Sequence, residues 1–254
     1  MSHLRKILVI ASFAALCVGG TAYAITIEFG NTVISTTATV QPRELPKRGY
    51  APISLTSITR IGTMDHTTPS TLETIEFLVD KHSTIDTKGV PVCTMTKLAG
   101  TTPGQARKRC GAALVGTGLG KAVVTMPGRA PFKISSPLSF FNAPPTNGRP
   151  TLIAHAYETV PSPQALLVPI VVERVARGRY GYRIRVDIPE IAGGFGAATL
   201  AEATIDAVRK RAGKSVGYLN AQCSGGRLQV EGHILMTNGD RFPATLTSPC
   251  HFPG

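Results

Sequence analysis

Three carboxylates, Glu158, Glu173 and Glu190, fall in or beside segments of strand character, and a pair of carboxylates is what glycoside cleavage requires. A strand carboxylate beside an aromatic ring can hold a raised pKa and act as an acid, and alternation places Glu173 on the apolar face of a hairpin near Tyr182. A carboxylate at a hairpin end that reaches solvent gains nothing of the kind. The histidines after the leader are His66, His82, His155, His233 and His251; no two stand at i, i+2 or i, i+4, so no metal motif is present and no metal or cofactor is expected. His155 and Glu158 fall on opposite faces of one strand, which keeps them from sharing a metal. Ser135-Ser136 precede Pro137 without supporting glycines, so neither is taken as a nucleophile. The remaining candidates are arginines. Arg177, Arg179, Arg183 and Arg185 form a cationic row suited to an anionic ligand.

What must position that row is a strand. Over residues 179–188, Tyr180, Tyr182, Ile184, Val186 and Ile188 alternate with Arg179, Gly181, Arg183, Arg185 and Asp187, the period of a strand with one face in the core. Upstream, residues 165–175 are nearly all apolar, and Ala176-Arg177-Gly178 supplies a turn whose glycine accepts positive φ. With Arg177-Gly178 as the loop, Val175 faces Tyr180, Val171 faces Ile184, and Arg183 and Arg185 lie opposite Val172 and Ile170. In that register the arginine stems cover aliphatic surface while the guanidinium groups reach water.

The chain as a whole fixes the compartment. Arg5 and Lys6 precede an apolar run from 7 to 18, and Ala22-Tyr23-Ala24 has the small-x-small form of a signal-peptidase site, so residues 1–24 read as a cleaved leader. An uncleaved anchor would need the apolar run to extend through Ala22, and Leu16 before Cys17 does not fit a lipoprotein signal. Export leaves Cys93, Cys110, Cys223 and Cys250, an even set that predicts two disulfides with three connectivities open; proximity favours Cys93 with Cys110 and Cys223 with Cys250. The formal charge is +12, and losing Arg5 and Lys6 leaves 25 basic residues against 15 acidic. A basic exported chain concentrates at anionic surfaces such as phospholipid headgroups or acidic polymers. The compartment, the lack of tryptophan and the absence of a basic helix exclude nucleic acid as a partner. No transmembrane span is expected in the mature chain.

Residues 25–48 read as an extension or linker, with a Thr-rich stretch to 40 that suits either a leading strand or a stalk. From 49 onward, short β-type runs alternate with Gly, Pro, Asn and Asp. Thr102-Pro103-Gly104-Gln105 is a capping box opening one short helix near 102–110, whose basic triplet Arg107-Lys108-Arg109 suits a helix C-terminus. Gly116-Thr117-Gly118-Leu119-Gly120-Lys121 fails as a phosphate loop, because Val115 and Ala122 stand where that motif needs Gly and Ser or Thr. Residues 197–211 read as strand, and 214–223, 227–237 and 241–248 as a meander. In such a meander Cys223 and Cys250 would flank a common neighbour, so their bridge would require residues 249–251 to leave the ladder. The expected fold is all-β, an antiparallel β-sandwich or jelly-roll-like domain over 49–254, with a split into two β domains near 142–150 as the alternative.

One likeness extends over most of the mature chain. Leu45-Pro46-Lys47, residues 71–79, Asp86-Thr87-Lys88-Gly89-Val90-Pro91-Val92-Cys93, Ala106-Arg107-Lys108-Arg109-Cys110, Ala154-His155-Ala156-Tyr157, Gly178-Arg179-Tyr180-Gly181-Tyr182 and Ile188-Pro189-Glu190-Ile191-Ala192-Gly193-Gly194 occur in that order. This order resembles a group of bacterial exported proteins of unknown function. The resemblance implies an extracytoplasmic, disulfide-containing β protein and supplies no activity or site residue. The leading expectation is a non-enzymatic envelope-associated or secreted protein that binds an anionic polymer or headgroup. A carbohydrate-active enzyme on the same scaffold and a passive structural surface protein are the competing readings.

Overall fold

The computed structural model describes residues 23–253. The expected leader at 1–24 lies outside the described residues apart from Tyr23 and Ala24, which open the first strand. The strands are β1 (Tyr23–Phe29), β2 (Thr32–Gln41), β3 (Ala51–Thr63), β4 (Leu72–Asp80), β5 (Ser83–Ile85), β6 (Leu114–Val124), β7 (Phe132–Thr146) and β8 (Arg149–Glu158). They continue with β9 (Gln164–Arg177), β10 (Tyr180–Asp187), β11 (Gly196–Ile205), β12 (Val208–Arg211), β13 (Lys214–Gly217), β14 (Leu219–Ala221), β15 (Arg227–Met236) and β16 (Arg241–Pro249). Between β5 and β6 lie a one-turn helix, α1 (Met95–Leu98), and α2 (Pro103–Cys110).

Twelve strands form one antiparallel path in the order β1-β2-β3-β11-β6-β7-β8-β9-β10-β4-β15-β16. The sheet curls until its ends meet: β1 packs on β16 without a ladder between them, and the Phe29 ring stands edge-on to Phe242 at 6.1 Å. Its opposite sides therefore face each other as the layers of a sandwich do. Ile34 and Ile61 of β2 and β3 share a core with Leu72, Ile234, Met236 and Phe242. Within that interior the buried hydroxyls of Thr36 and Thr59 satisfy one another at 3.1 Å. The stretch 25–48, expected as an extension or linker, thus supplies the first two strands of the sheet, and the suggested domain split near 142–150 falls within the β7–β8 hairpin.

The middle stretches of β7 and β8 are buried on both faces, and β9 buries its inner face while its outward Leu167 is partly buried. Phe140, Leu152, Ile170 and Val172 point into the sheet's interior; Phe141, Ala143 and Ile153 point outward beneath Cys93, Leu98, Ala106 and Cys110. The helices thus form a cap over the outer face of these three strands. Thr102 and Gln105 make the expected reciprocal capping box, and the Cys93–Cys110 disulfide closes the cap. The second disulfide joins Cys223 to Cys250. His155 is fully buried under the cap: its Nε2 lies 3.0 Å from the Thr101 carbonyl oxygen and 3.1 Å from Thr101 Oγ1. A carbonyl only accepts, so the proton sits on Nε2. Burial pushes the pKa of His155 below the ordinary 6.5, against the raising effect of its hydrogen bonds.

Two expectations are corrected. The β9–β10 hairpin pairs Tyr180 with Arg177, Tyr182 with Arg174, Arg183 with Glu173 and Ile184 with Val172. Its loop is Gly178-Arg179, with Gly178 at φ +58, and the register shifts at Gly181, where a side chain would meet the Lys81 backbone at 2.8 Å. A one-residue shift reverses which partner each side chain faces. The C-terminal meander is also broken. Residues 214–223 divide at Tyr218 into β13, which pairs with β12, and β14, which pairs with β3 and β5. Cys223 therefore does not flank β15, and Cys250 reaches it while its N–H still bonds the Gly226 carbonyl at 3.0 Å.

The free edge of β16 has its own chemistry. Met236 N–H donates to Asp240 O and Cys250 N–H to Gly226 O, which fixes the hydrogen-bonded pairs of the β15–β16 ladder at even positions of β16. Pro243 and Pro249 occupy odd positions, so their missing N–H groups fall on the edge turned away from β15.

Candidate functional site

The predicted arginine row is a ladder of ion pairs for most of its length. Arg179 Nε donates to Asp80 Oδ2 at 2.9 Å, Arg183 lies 3.7 Å from Glu76, and Arg185 Nε donates to Asp187 Oδ1 at 2.8 Å. Arg177 is exposed and close enough to Glu231 to help hold that carboxyl below its usual range, after the larger effect of the His233 hydrogen bond. Asp80 is fully buried and saturated: Oδ1 accepts from His82 N–H at 3.0 Å, and Oδ2 also accepts from Gln229 N–H at 3.2 Å.

Positive charge is concentrated at one end of the sheet, although Arg149, Arg179, Arg209 and Arg211 there are ion-paired. There β2 leads to β3, β4 to α1 and α2, β9 to β10, and β11 through the β12–β13 hairpin to β15. The connections and strand ends at 42–50, 80–113, 147–149, 173–179, 206–227 and 250–253 carry 18 lysines and arginines against five carboxylates. The rest of the described chain carries seven against ten. Part of this asymmetry is visible in the chain itself, since no aspartate or glutamate occurs from 87 to 157.

The β12–β13 hairpin shows how local structure sorts these cations. Ala212 and Gly213 make its turn at φ +48 and +77. Alternation turns Arg209 and Arg211 inward, where both grip Asp86, at 2.7 and 2.8 Å, and turns Lys210 outward. Burial would raise the Asp86 carboxyl, but hydrogen bonds from Arg211 and Lys88 N–H and the charges of both arginines outweigh it, leaving it below the usual range. One pair of cations is thus spent on anchoring the hairpin, while Lys210 and Lys214 remain exposed. On the cap, Arg107, Lys108 and Arg109 are all exposed, and only Arg109 is tied down, donating to the Lys97 carbonyl at 3.3 Å. Tyr50, Lys88, Arg211 and Ser215 line a shallow open groove of about 450 Å³ beside the hairpin.

The candidate catalytic carboxylates are dispersed. Glu158 is buried, with one oxygen bonded to Gln164 Nε2 and the other accepting from Ala192 N–H at 2.9 Å. Glu173 pairs with Arg149 and sits opposite Arg183; it is Arg174, not Glu173, that covers the Tyr182 ring, at 5.7 Å. Glu190 is exposed, near Gly194. Among the described residues no three His, Cys, Asp or Glu side chains come together to hold a metal. One serine pattern escaped the sequence reading: Gly213-Lys214-Ser215-Val216-Gly217 has the Gly-x-Ser-x-Gly spacing. It lies in a hairpin strand with no helix after it, so it is not a strand-to-helix elbow. Lys210 is exposed, and its Nζ donates to Ser215 Oγ at 2.9 Å. Reading alone also missed the hairpin, whose signal was Arg209-Lys210-Arg211 followed by Ala212-Gly213-Lys214.

Comparison of the chain with protein-family models, with curated proteins and with solved structures finds no match in any of the three.

Proposed function

We propose that this chain is an exported, non-enzymatic binding protein, envelope-associated or secreted, that meets an anionic polymer or headgroup through its cationic end. The observation that carries the reading is the segregation of charge along the strands: among the described residues, 18 basic against five acidic at one end, seven against ten over the remainder. A field so polarised orients the molecule toward a negative surface as well as attracting it. Two disulfides support an oxidising compartment. Among the described residues no helix is long and apolar enough to cross a membrane. The site of binding moves from the predicted arginine row, three of whose members already face carboxylates, to exposed cations of the cap and hairpin.

Binding to immobilised dextran sulfate across a sodium chloride series tests this. Affinity should fall steeply with salt, and Lys108→Ala with Lys210→Ala and Lys214→Ala should weaken it several-fold, whereas Arg183→Ala with Arg185→Ala should leave it nearly unchanged. Affinity indifferent to salt, or lost equally in both variants, would refute the assignment.

A further inference from the structure

Charge alone does not distinguish a soluble polyanion from the surface of a bilayer; exposed apolar side chains do. A dissolved acidic polymer offers nothing to a large apolar group, while the boundary between headgroups and acyl chains takes up aromatic and aliphatic side chains that stand among lysines and arginines. Eight large hydrophobic side chains are exposed among the described residues. Five of them, Tyr50, Val92, Met95, Val208 and Phe252, lie on the connections of the cationic end, from 40% to 55% exposed. The other three, Phe29, Met64 and Phe195, lie at the opposite end, where cations are few.

The arrangement at the cationic end interleaves the two kinds of group. Lys47 Nζ stands 5.6 Å from the centre of the Phe252 ring. Tyr50 shares its groove with Lys88, Arg211 and Ser215, and Val208 opens the strand that carries Arg209, Lys210 and Arg211. On the other side Met95 is two residues from Lys97, beside the helix bearing Arg107 and Lys108. Both sets are tethered: the Cys93–Cys110 disulfide closes the cap, and the Cys223–Cys250 disulfide lies two residues before Phe252. Side chains of this size left in water on ordered connections find an apolar environment only when the whole end is laid against one.

We propose that the partner is an anionic lipid bilayer, on which the cationic end lies flat with Tyr50, Val208 and Phe252 entering the interface. This rests on the proposed function and narrows it to a lipid surface. The full chain with its disulfides intact should sediment with phosphatidylcholine vesicles containing phosphatidylglycerol and not with phosphatidylcholine alone. Tyr50→Ser with Phe252→Ser should lower vesicle affinity roughly tenfold, the loss of two interfacial side chains, and leave binding to dextran sulfate unchanged. Val208→Ser with Phe252→Ser gives the same readout and serves if the first variant loses its native circular dichroism. Binding to dextran sulfate without binding to anionic vesicles, or serine variants that hold vesicles as tightly as the parent chain, would overturn the bilayer assignment alone. Binding to neither would overturn the proposed function with it.

Discussion

At the scale of single residues, two buried titratable groups hold distant parts of the chain together. Asp80 joins the end of β4 to the residue before β10 and to β15. Asp80→Ala would strand the Arg179 guanidinium and two backbone N–H groups, and should cost roughly 2–4 kcal/mol in urea unfolding. His155 makes stability depend on pH. Its folded pKa is depressed, so below the unfolded value of 6.5 the unfolded chain binds a proton that the folded chain resists. Stability attributable to this group is therefore complete above that pH and falls as the pH drops below it toward the depressed folded value. Denaturant midpoints taken across that window should show the decline in the parent chain, and His155→Gln should flatten it. Alternation in the sequence correctly set His155 and Glu158 on opposite faces, but nothing in it revealed that the outward face would lie under a cap.

The cap and the glycine-rich strand carry the tests at the scale of elements. The Cys93–Cys110 bridge spans a separation of 17 residues and secures an eight-residue helix that could not persist alone. Replacing both cysteines by alanine should cost about 3 kcal/mol and expose the Arg107-Lys108-Arg109 segment to trypsin, which peptide mass mapping would detect. In β6 the glycines that fail as a phosphate loop serve close packing: a Cβ on Gly118 would lie 1.9 Å from the Glu202 carbonyl oxygen. Gly118→Ala should destabilise the fold by about 3 kcal/mol or prevent it from forming, measured against Gly111→Ala, whose added carbon meets nothing. The capping box was legible because its signal is local, four residues in a fixed order. The β9–β10 register was not, because the bulge that sets it depends on contact between Gly181 and Lys81, far apart in the chain.

At the scale of the whole molecule, the class and antiparallel character of the fold follow from alternation and turn residues, which act within a few positions. The pairing of β3 with β11, and of β14 with β3 and β5, does not, because partners so distant in sequence leave no local trace. The charge asymmetry lies between these cases. Its basic members are plain in the sequence, but their gathering at one end becomes visible only once the strand order is known. Reversing Lys108, Lys210 and Lys214 to glutamate should therefore abolish retention on a sulfonate exchanger at moderate salt, while reversing Arg60, Lys121 and Lys133 makes the same change in net charge and should only reduce it. The two prolines on β16 bear on how many such molecules can share a surface. They leave that margin short of donors for a neighbour's backbone, which disfavours strand pairing between copies crowded shoulder to shoulder.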